Sequence, residues 1–420
     1  MAAPARGTAA WAGLGFLAVV LTALFAQRPG DFAGYVLVGE LALNGRDIYR
    51  DAPPNISTWP PLFSLICVAI AAAARVSLVG ARVAWLLLNW AALYACVWMV
   101  TRLVQPAAAP GGRVDITSAV VALPLLLCAR WIVSNLEHLQ VNILIFALVL
   151  GGLLLHRVRR DGSAGTVLGL AAALKVMPVL LVPYFLVRRQ WRIAGCMALA
   201  VIGWSLLPIA AYGWTAFSAQ HDGWREAVHA GWSVGKMNIS VFAALDRHLG
   251  HGLVPFAVQG FNDLAPSGSA IVDTALVAAL FLLAAVGVWL FRGPYDPASR
   301  AAVAEWSIVL LVASLFGTVA WKAYLVVLLL PMALFVATWR DTSPPEGFRV
   351  RLRLLTWLSF VLGLVAESDL VGRRLAWRLE MGSLPTLMAL LVLGTLFWYR
   401  GRQRPAMATR LPGDATDLLP

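Results

Sequence analysis

The sequence predicts an all-α polytopic integral membrane protein, and three observations carry the prediction. Of 420 residues, 60% are hydrophobic and only 13% charged, with a mean hydropathy of +0.77. No soluble domain hides that much apolar surface, so the solvent is lipid. Apolar runs of about 20 residues, enough helix to cross about 30 Å of hydrocarbon, recur along the whole chain. The runs are continuous rather than alternating, which selects helices over a β-barrel. No soluble domain of useful size fits between them. Residues 1–400 therefore read as one transmembrane domain, and 401–420, basic and then polar, as a disordered cytoplasmic tail.

Lys and Arg number 33 against 21 Asp and Glu, a net charge of +12. The basic residues cluster in short loops between apolar runs. That pattern marks cytoplasmic loops touching anionic headgroups and excludes nucleic acid as the partner. Cys67, Cys96, Cys128 and Cys196 lie singly in apolar surroundings without metal-ligand spacing, and read as small buried hydrophobes.

The elements follow in order. An apolar run at 11–26 comes after Arg6, and Gln27-Arg28-Pro29 is a poor cleavage site, so an uncleaved first helix with a cytoplasmic N-terminus is expected. Residues 28–61 then face outside. The run 62–74 is short for a span, and counting it as one would put the later basic loops outside, so it is expected to be a half-membrane helix in the outer leaflet. Spans are expected at 83–101, 116–132 and 141–156, the last ending in Arg157, Arg159 and Arg160. Two short limbs, 165–174 and 179–187, turn near Lys175 and Pro178. Residues 193–212 go outward, 213–269 form a long outer loop, and 270–291 return to Arg292 and Arg300. Runs at 301–318, 324–339, 354–370 and 385–399 complete about twelve spans, with a basic cytoplasmic loop at 340–353. No internal repeat is visible, which weighs against an inverted-repeat transporter.

This topology sorts the polar residues. The inner set is almost wholly Arg and Lys. The outer set is mixed: Asp31, Tyr35 and Tyr49; Arg130, Asn135, Glu137, His138, Gln140 and Asn142; Lys175; Lys236, Asn238 and Asp246; Trp321, Lys322 and Tyr324. Polar groups at a lipid boundary are expensive unless they pair or line water, so one outward-facing cavity is expected, with Asp31, Gln140, Lys175, Asn238 and Lys322 converging on it.

Asp31 carries two open readings. It precedes a helix-compatible segment, where Asp is a favoured N-cap. It also lies where a cavity floor would be, and a carboxylate there can take a proton from a hydroxyl. Lys175 either snorkels or holds a phosphate as a point charge. Glu137 and His138 near Arg130 lack the His pair that a metal site would favour. The triplets at Asn55 and Asn238 match the glycosylation pattern only as chance would.

The run Asp31…Tyr35, then Asn44-Gly45-Arg46-Asp47-Ile48-Tyr49, then Trp59-Pro60-Pro61-Leu62, resembles the first outer loop of glycosyltransferase family 87. Leu139-Gln140-Val141-Asn142 is similar to that family's Gly-Gln-Val-Asn segment. Residues 169–178, with Leu174-Lys175, resemble its Gly-Leu-Ala-Ala-Leu-Lys-x-x-Pro turn, and Asn238-Ile239-Ser240-Val241 its Asn-x-Ser-Leu segment. Trp321 opens a stretch like its late Trp-containing loop. Two departures stand out: Leu139 replaces the Gly, and Lys322-Ala323-Tyr324 stands where many relatives carry a His after the Trp.

The resemblance implies a GT-C fold with a juxtamembrane helix in the first outer loop. It implies a transferase that moves a hexose, typically mannose, from a polyprenyl-phosphate sugar to a glycolipid or glycan acceptor. Asp31 would be the general base. Lys175 would meet the leaving phosphate, with Arg130 and Lys322 next in line. Tyr49, Gln140, Asn142, Asn238 and Trp321 are carried over as substrate-binding residues. No cofactor or metal is required by this reading, although some GT-C members use a metal. The expected location is the plasma membrane of a bacterium, with both termini cytoplasmic and the site on the extracytoplasmic face. Two rivals remain open: a transporter or flippase of a lipid-linked solute, and a non-catalytic GT-C-like subunit of an envelope assembly complex.

Overall fold

The computed structural model describes residues 3–53, 56–105, 115–229, 233–252 and 264–403. Most of the proposed tail, and Asn55, fall outside the described residues. Lipid offers a backbone no hydrogen-bond partner but itself, and the described residues form helices with no strand among them.

Helix α1 spans Ala3–Phe25 and leads through a short turn to α2, Phe32–Leu43. Gly45, at φ +68°, ends α2 in the left-handed region that glycine tolerates. Helix α3, Phe63–Val76, lies flush against α2, because a Cβ on Gly39 would fall 2.1 Å from the Cys67 carbonyl oxygen. Its 14 residues reach only about 21 Å at 1.5 Å per residue, too short to cross, as expected for 62–74. The Ser77 hydroxyl then caps α4, Leu78–Val104, by accepting from the Gly80 N–H at 3.0 Å.

Helices α5 (Ala119–Glu137) and α6 (Asn142–Arg157) follow. Helix α7 (Asp161–Leu174) then gives way to a 3-10 turn at Met177–Leu180 and to α8, Leu181–Val187. Helix α9, Trp191–Leu206, packs on α7 through two glycines four residues apart. A Cβ on Gly165 would sit 2.6 Å from that of Cys196, and one on Gly169 would sit 2.5 Å from that of Ala200. This is the small-xxx-small contact by which apolar helices approach closely in lipid, and it fixes the end of α7 that carries Lys175.

Helix α10, Pro208–His229, turns 73° away from α9, so the first part of the expected outer loop is helical. Then come α11 (Val241–Leu245), α12 (Ala270–Leu290) and α13 (Arg300–Leu315). A 3-10 segment, Lys322–Leu328, runs into α14, Leu329–Arg340. Helix α15, Glu346–Val365, starts inside the expected basic loop and stops short of the expected Leu370. The chain then breaks into α16 (Ser368–Val371) and α17 (Arg373–Met381) before α18, Leu384–Arg402.

Among the described residues, five helices are long and apolar enough to cross a membrane, or six if α9 and α10 form one bent span. A count near twelve is reached only by including shorter apolar helices such as 142–157. The protein is a multi-pass membrane protein.

The basic ends of the helices gather together. Arg157 donates to the Arg102 carbonyl at 3.0 Å, Arg300 pairs with Asp341 at 2.7 Å, and Arg188 and Arg400 share the buried Glu305 at 3.0 and 2.6 Å. The opposite helix ends carry the mixed polar set.

Candidate active site

At that opposite end lies a cavity of about 740 Å³. It is walled by the α1–α2 turn, the α5–α6 corner, the end of α7, the loop before α11, the 3-10 segment before α14, and α16–α17.

Asp31 is delivered by a backbone constraint. Gly30 adopts φ +46°, and a Cβ there would lie 2.5 Å from the His138 carbonyl oxygen. Glycine lets the two backbones meet, and the Asp31 N–H donates to that carbonyl at 2.8 Å. Asp31 occupies the N-cap position of α2 but makes no capping bond, and among the described residues its carboxylate accepts no hydrogen bond. Burial raises its pKa above the ordinary carboxylate value, against the pull of His138 and Lys175.

Lys175 ends α7 in extended backbone, outside the helix. Its ammonium donates to Asn142 Oδ1 and lies 3.9 Å from the centroid of the Tyr324 ring, a cation–π contact. It forms no ion pair among the described residues. Burial lowers its pKa to about 7, with Asp31 opposing. The cavity floor thus holds a carboxylate and an ammonium, each without a partner of opposite charge in contact.

The other two cations expected to meet a phosphate are already matched. Arg130 Nε pairs with Glu367 at 2.7 Å, and its Nη1 lies 3.9 Å from Glu137, which also takes Arg28. Lys322 is clamped between Glu367 at 3.1 Å and Glu380 at 2.6 Å. Both line the cavity, but their charge is spent within the protein. Lys322 is thus held between two carboxylates, and the Tyr324 ring lies against Lys175.

Of the other expected residues, Gln140, Asn142 and Trp321 line the cavity. Two do not. Asn238 is buried, its side chain donating to the Ser233 and Thr318 carbonyls and accepting from the Ser240 and Ala320 N–H groups. A buried amide with every position taken knits loops together and offers nothing to a substrate. Tyr49 donates its hydroxyl to the Trp59 carbonyl at 2.7 Å, one step behind the wall that Trp59 forms.

The sequence reading missed the α16–α17 wall: Glu367, Asp369, Arg373, Trp377 and Glu380. Hydropathy ran the preceding span to Leu370 and left 371–384 unread. The signal was present, since 373, 377 and 380 fall on one helical face. The Leu139 departure also has a physical account. Leu139 holds φ +52°, a conformation that favours glycine and costs other residues about 1–2 kcal/mol. Its fully buried side chain offsets that by roughly 1.5–3 kcal/mol, and its carbonyl accepts from Trp85 Nε1 at 2.9 Å.

A carboxylate and an ammonium thus line one roomy cavity at one end of an all-helical membrane bundle. The sequence matches the model of glycosyltransferase family 87 over residues 58–316, more than half the chain, and the chain belongs to that family. With its all-α, multi-pass architecture, the protein is a membrane glycosyltransferase. The matched region takes in Arg130, Gln140, Asn142, Lys175 and Asn238, whereas Asp31, Tyr49, Trp321 and Lys322 lie outside it. Among solved structures, ArnT from Cupriavidus metallidurans, crystallised with undecaprenyl phosphate, is similar at 15% identity. The TM-score is 0.44, with 94% of this chain and 78% of that one covered, and no site residue is carried over from it. No curated relative matches the sequence.

Proposed function

We propose that the protein moves a hexose, with mannose the first candidate, from a polyprenyl-phosphate donor to a hydroxyl of a glycolipid or glycan acceptor. The observation that carries this is the pairing of Asp31 and Lys175 on one cavity floor. Asp31 takes the proton of the acceptor hydroxyl, whose oxygen attacks the anomeric carbon. The bond from that carbon to the phosphate oxygen breaks, polyprenyl phosphate departs with the electron pair, and the configuration inverts. A phosphate needs no general acid when a cation meets its charge, and Lys175 is placed to do so.

A lipid-linked donor suits a cavity that opens at one end of a membrane-embedded helical bundle, where a phosphate beside the Lys175 ammonium leaves its isoprenoid chain in the bilayer. The positive-inside rule puts the gathered arginines in the cytoplasm, hence the cavity on the extracytoplasmic face of a bacterial plasma membrane.

The test is the purified protein in nanodiscs, supplied with polyprenyl-phosphate mannose and a lipid extract as acceptor source. Release of polyprenyl phosphate with a new mannosylated product is the expected result. A pure, folded protein that binds the donor yet never turns over under any acceptor would make it a non-catalytic subunit. Vectorial movement of the donor without cleavage would make it a flippase.

A further inference from the structure

The hydrogen bonds behind Lys175 run in one direction. Its ammonium can only donate, so the atom of Asn142 that faces it is Oδ1. The Nδ2 of Asn142 then points the other way and donates to Asn135 Oδ1 at 2.9 Å, and also to Gln140 Oε1. With its oxygen taken, Asn135 donates through Nδ2 to the carbonyls of Trp131 and Ala323, each at 2.8 Å. Carbonyls can only accept. A donor-only group at one end and acceptor-only groups at the other leave both amides a single orientation.

Asn135 is fully buried. It does not line the cavity, although its neighbour Ser134 does. Yet it joins three of the elements that build the floor: α5, on which it sits; the start of α6, through Asn142; and the 3-10 segment, through Ala323. The residue after Ala323 is Tyr324, whose ring lies against the Lys175 ammonium. One side chain therefore sets both contacts of that ammonium, the amide oxygen and the aromatic face. Asn142, expected from the sequence to meet the substrate, has both amide atoms engaged by protein groups, Lys175, Gln140 and Asn135.

We propose that Asn135 is a positioning residue, acting through Asn142 and Ala323 to hold the Lys175 ammonium where the donor phosphate arrives. This rests on the reading of Lys175 given above.

The test is a double-mutant cycle on binding of polyprenyl phosphate to the full chain in nanodiscs, with a second readout independent of the ligand. Lys175→Ala is expected to weaken binding roughly tenfold to a hundredfold, as loss of a charged hydrogen bond does. Asn135→Ala is expected to weaken it about fivefold. In the double variant the loss should stay within about twofold of Lys175→Ala alone, because residues that act through one another are not additive. Losses that multiply would overturn the proposal. Asn89→Ala, which removes a buried amide bonded, among the described residues, only to its own helix at Trp85, is the control and should leave binding unchanged.

The second readout is the pH midpoint for labelling of the Lys175 amine by a small acylating reagent, read by mass spectrometry. Asn135→Ala should move that midpoint by about half a pH unit or more, and Asn89→Ala should not. An unmoved midpoint in Asn135→Ala would overturn the proposal. Should that variant not fold, Asn142→Asp keeps an acceptor for Lys175 and adds a charge. It should raise the midpoint by about one unit or more, and an unchanged midpoint would again overturn it. If the wild type does not bind polyprenyl phosphate, the lipid-donor reading falls, and the labelling arm alone decides the role of Asn135.

Discussion

The backbone N–H of Asp31 donates to the carbonyl of His138 at 2.8 Å, joining the turn after α1 to the end of α5. The bond uses none of the Asp31 side chain. It sets the carboxylate in the cavity while leaving both oxygens free, which a capping role would not.

That staple depends on Gly30. Gly30→Ala forces a residue with a Cβ into positive φ and drives that Cβ into the His138 carbonyl. The expected cost is about 1–3 kcal/mol, seen as a lower unfolding temperature, with a loss of donor turnover. A variant that melts and turns over like the wild type would show that the two backbones do not need to meet.

Asp31→Asn preserves size and keeps a good capping residue, yet cannot accept a proton at neutral pH. Turnover should fall by about 100-fold to 10,000-fold, the range for loss of a general base, with expression and thermal stability unchanged. Retained turnover in Asp31→Asn would return the residue to a purely structural role.

Rate against pH should trace a bell in kcat/KM. In the proposed mechanism Asp31 works as the anion, and burial raises its pKa, so activity should climb through a pH above the usual carboxylate range. In the same mechanism Lys175 works as the cation, and burial lowers its pKa to about 7, so activity should fall as pH rises past that value. Lys175→Arg keeps its charge throughout, and the alkaline limb should disappear. An alkaline limb at the same midpoint in Lys175→Arg would assign it to another group.

Lys322→Ala should behave as a stability variant. It strips the cation from between Glu367 and Glu380 and leaves two mostly buried carboxylates facing one another, a loss of about 3 kcal/mol. Lys322→Ala/Glu380→Gln should recover part of it in thermal melts. Normal melting with lost polyprenyl-phosphate binding would instead make Lys322 a ligand.

Much of the site was legible before any coordinates. Parity of the basic loops required that 62–74 be a half-membrane helix and not a full span, and α3 is a separate short helix packed on α2. The same parity put the Asp31, Arg130–Asn142, Lys175 and Trp321–Tyr324 segments on one face, and they do meet around one cavity. The α16–α17 wall was not legible, because a hydropathy window reports whether a run is apolar and not where the chain leaves the membrane.

Composition, the lengths of the apolar runs and the placement of Arg and Lys determined that this is an all-helical multi-pass protein with one polar end. Those are properties of the chain as a line, set by what each residue costs in lipid. Only the tertiary structure decided which charges remain available. Arg130, Lys175 and Lys322 are all cations on one face by sequence, and the family resemblance ranks Lys175 first without showing which are paired. Packing brings Glu367 and Glu380 to two of them and leaves the third opposite Asp31. A charge loses its freedom through a partner distant in sequence, and that pairing exists only once the helices have packed.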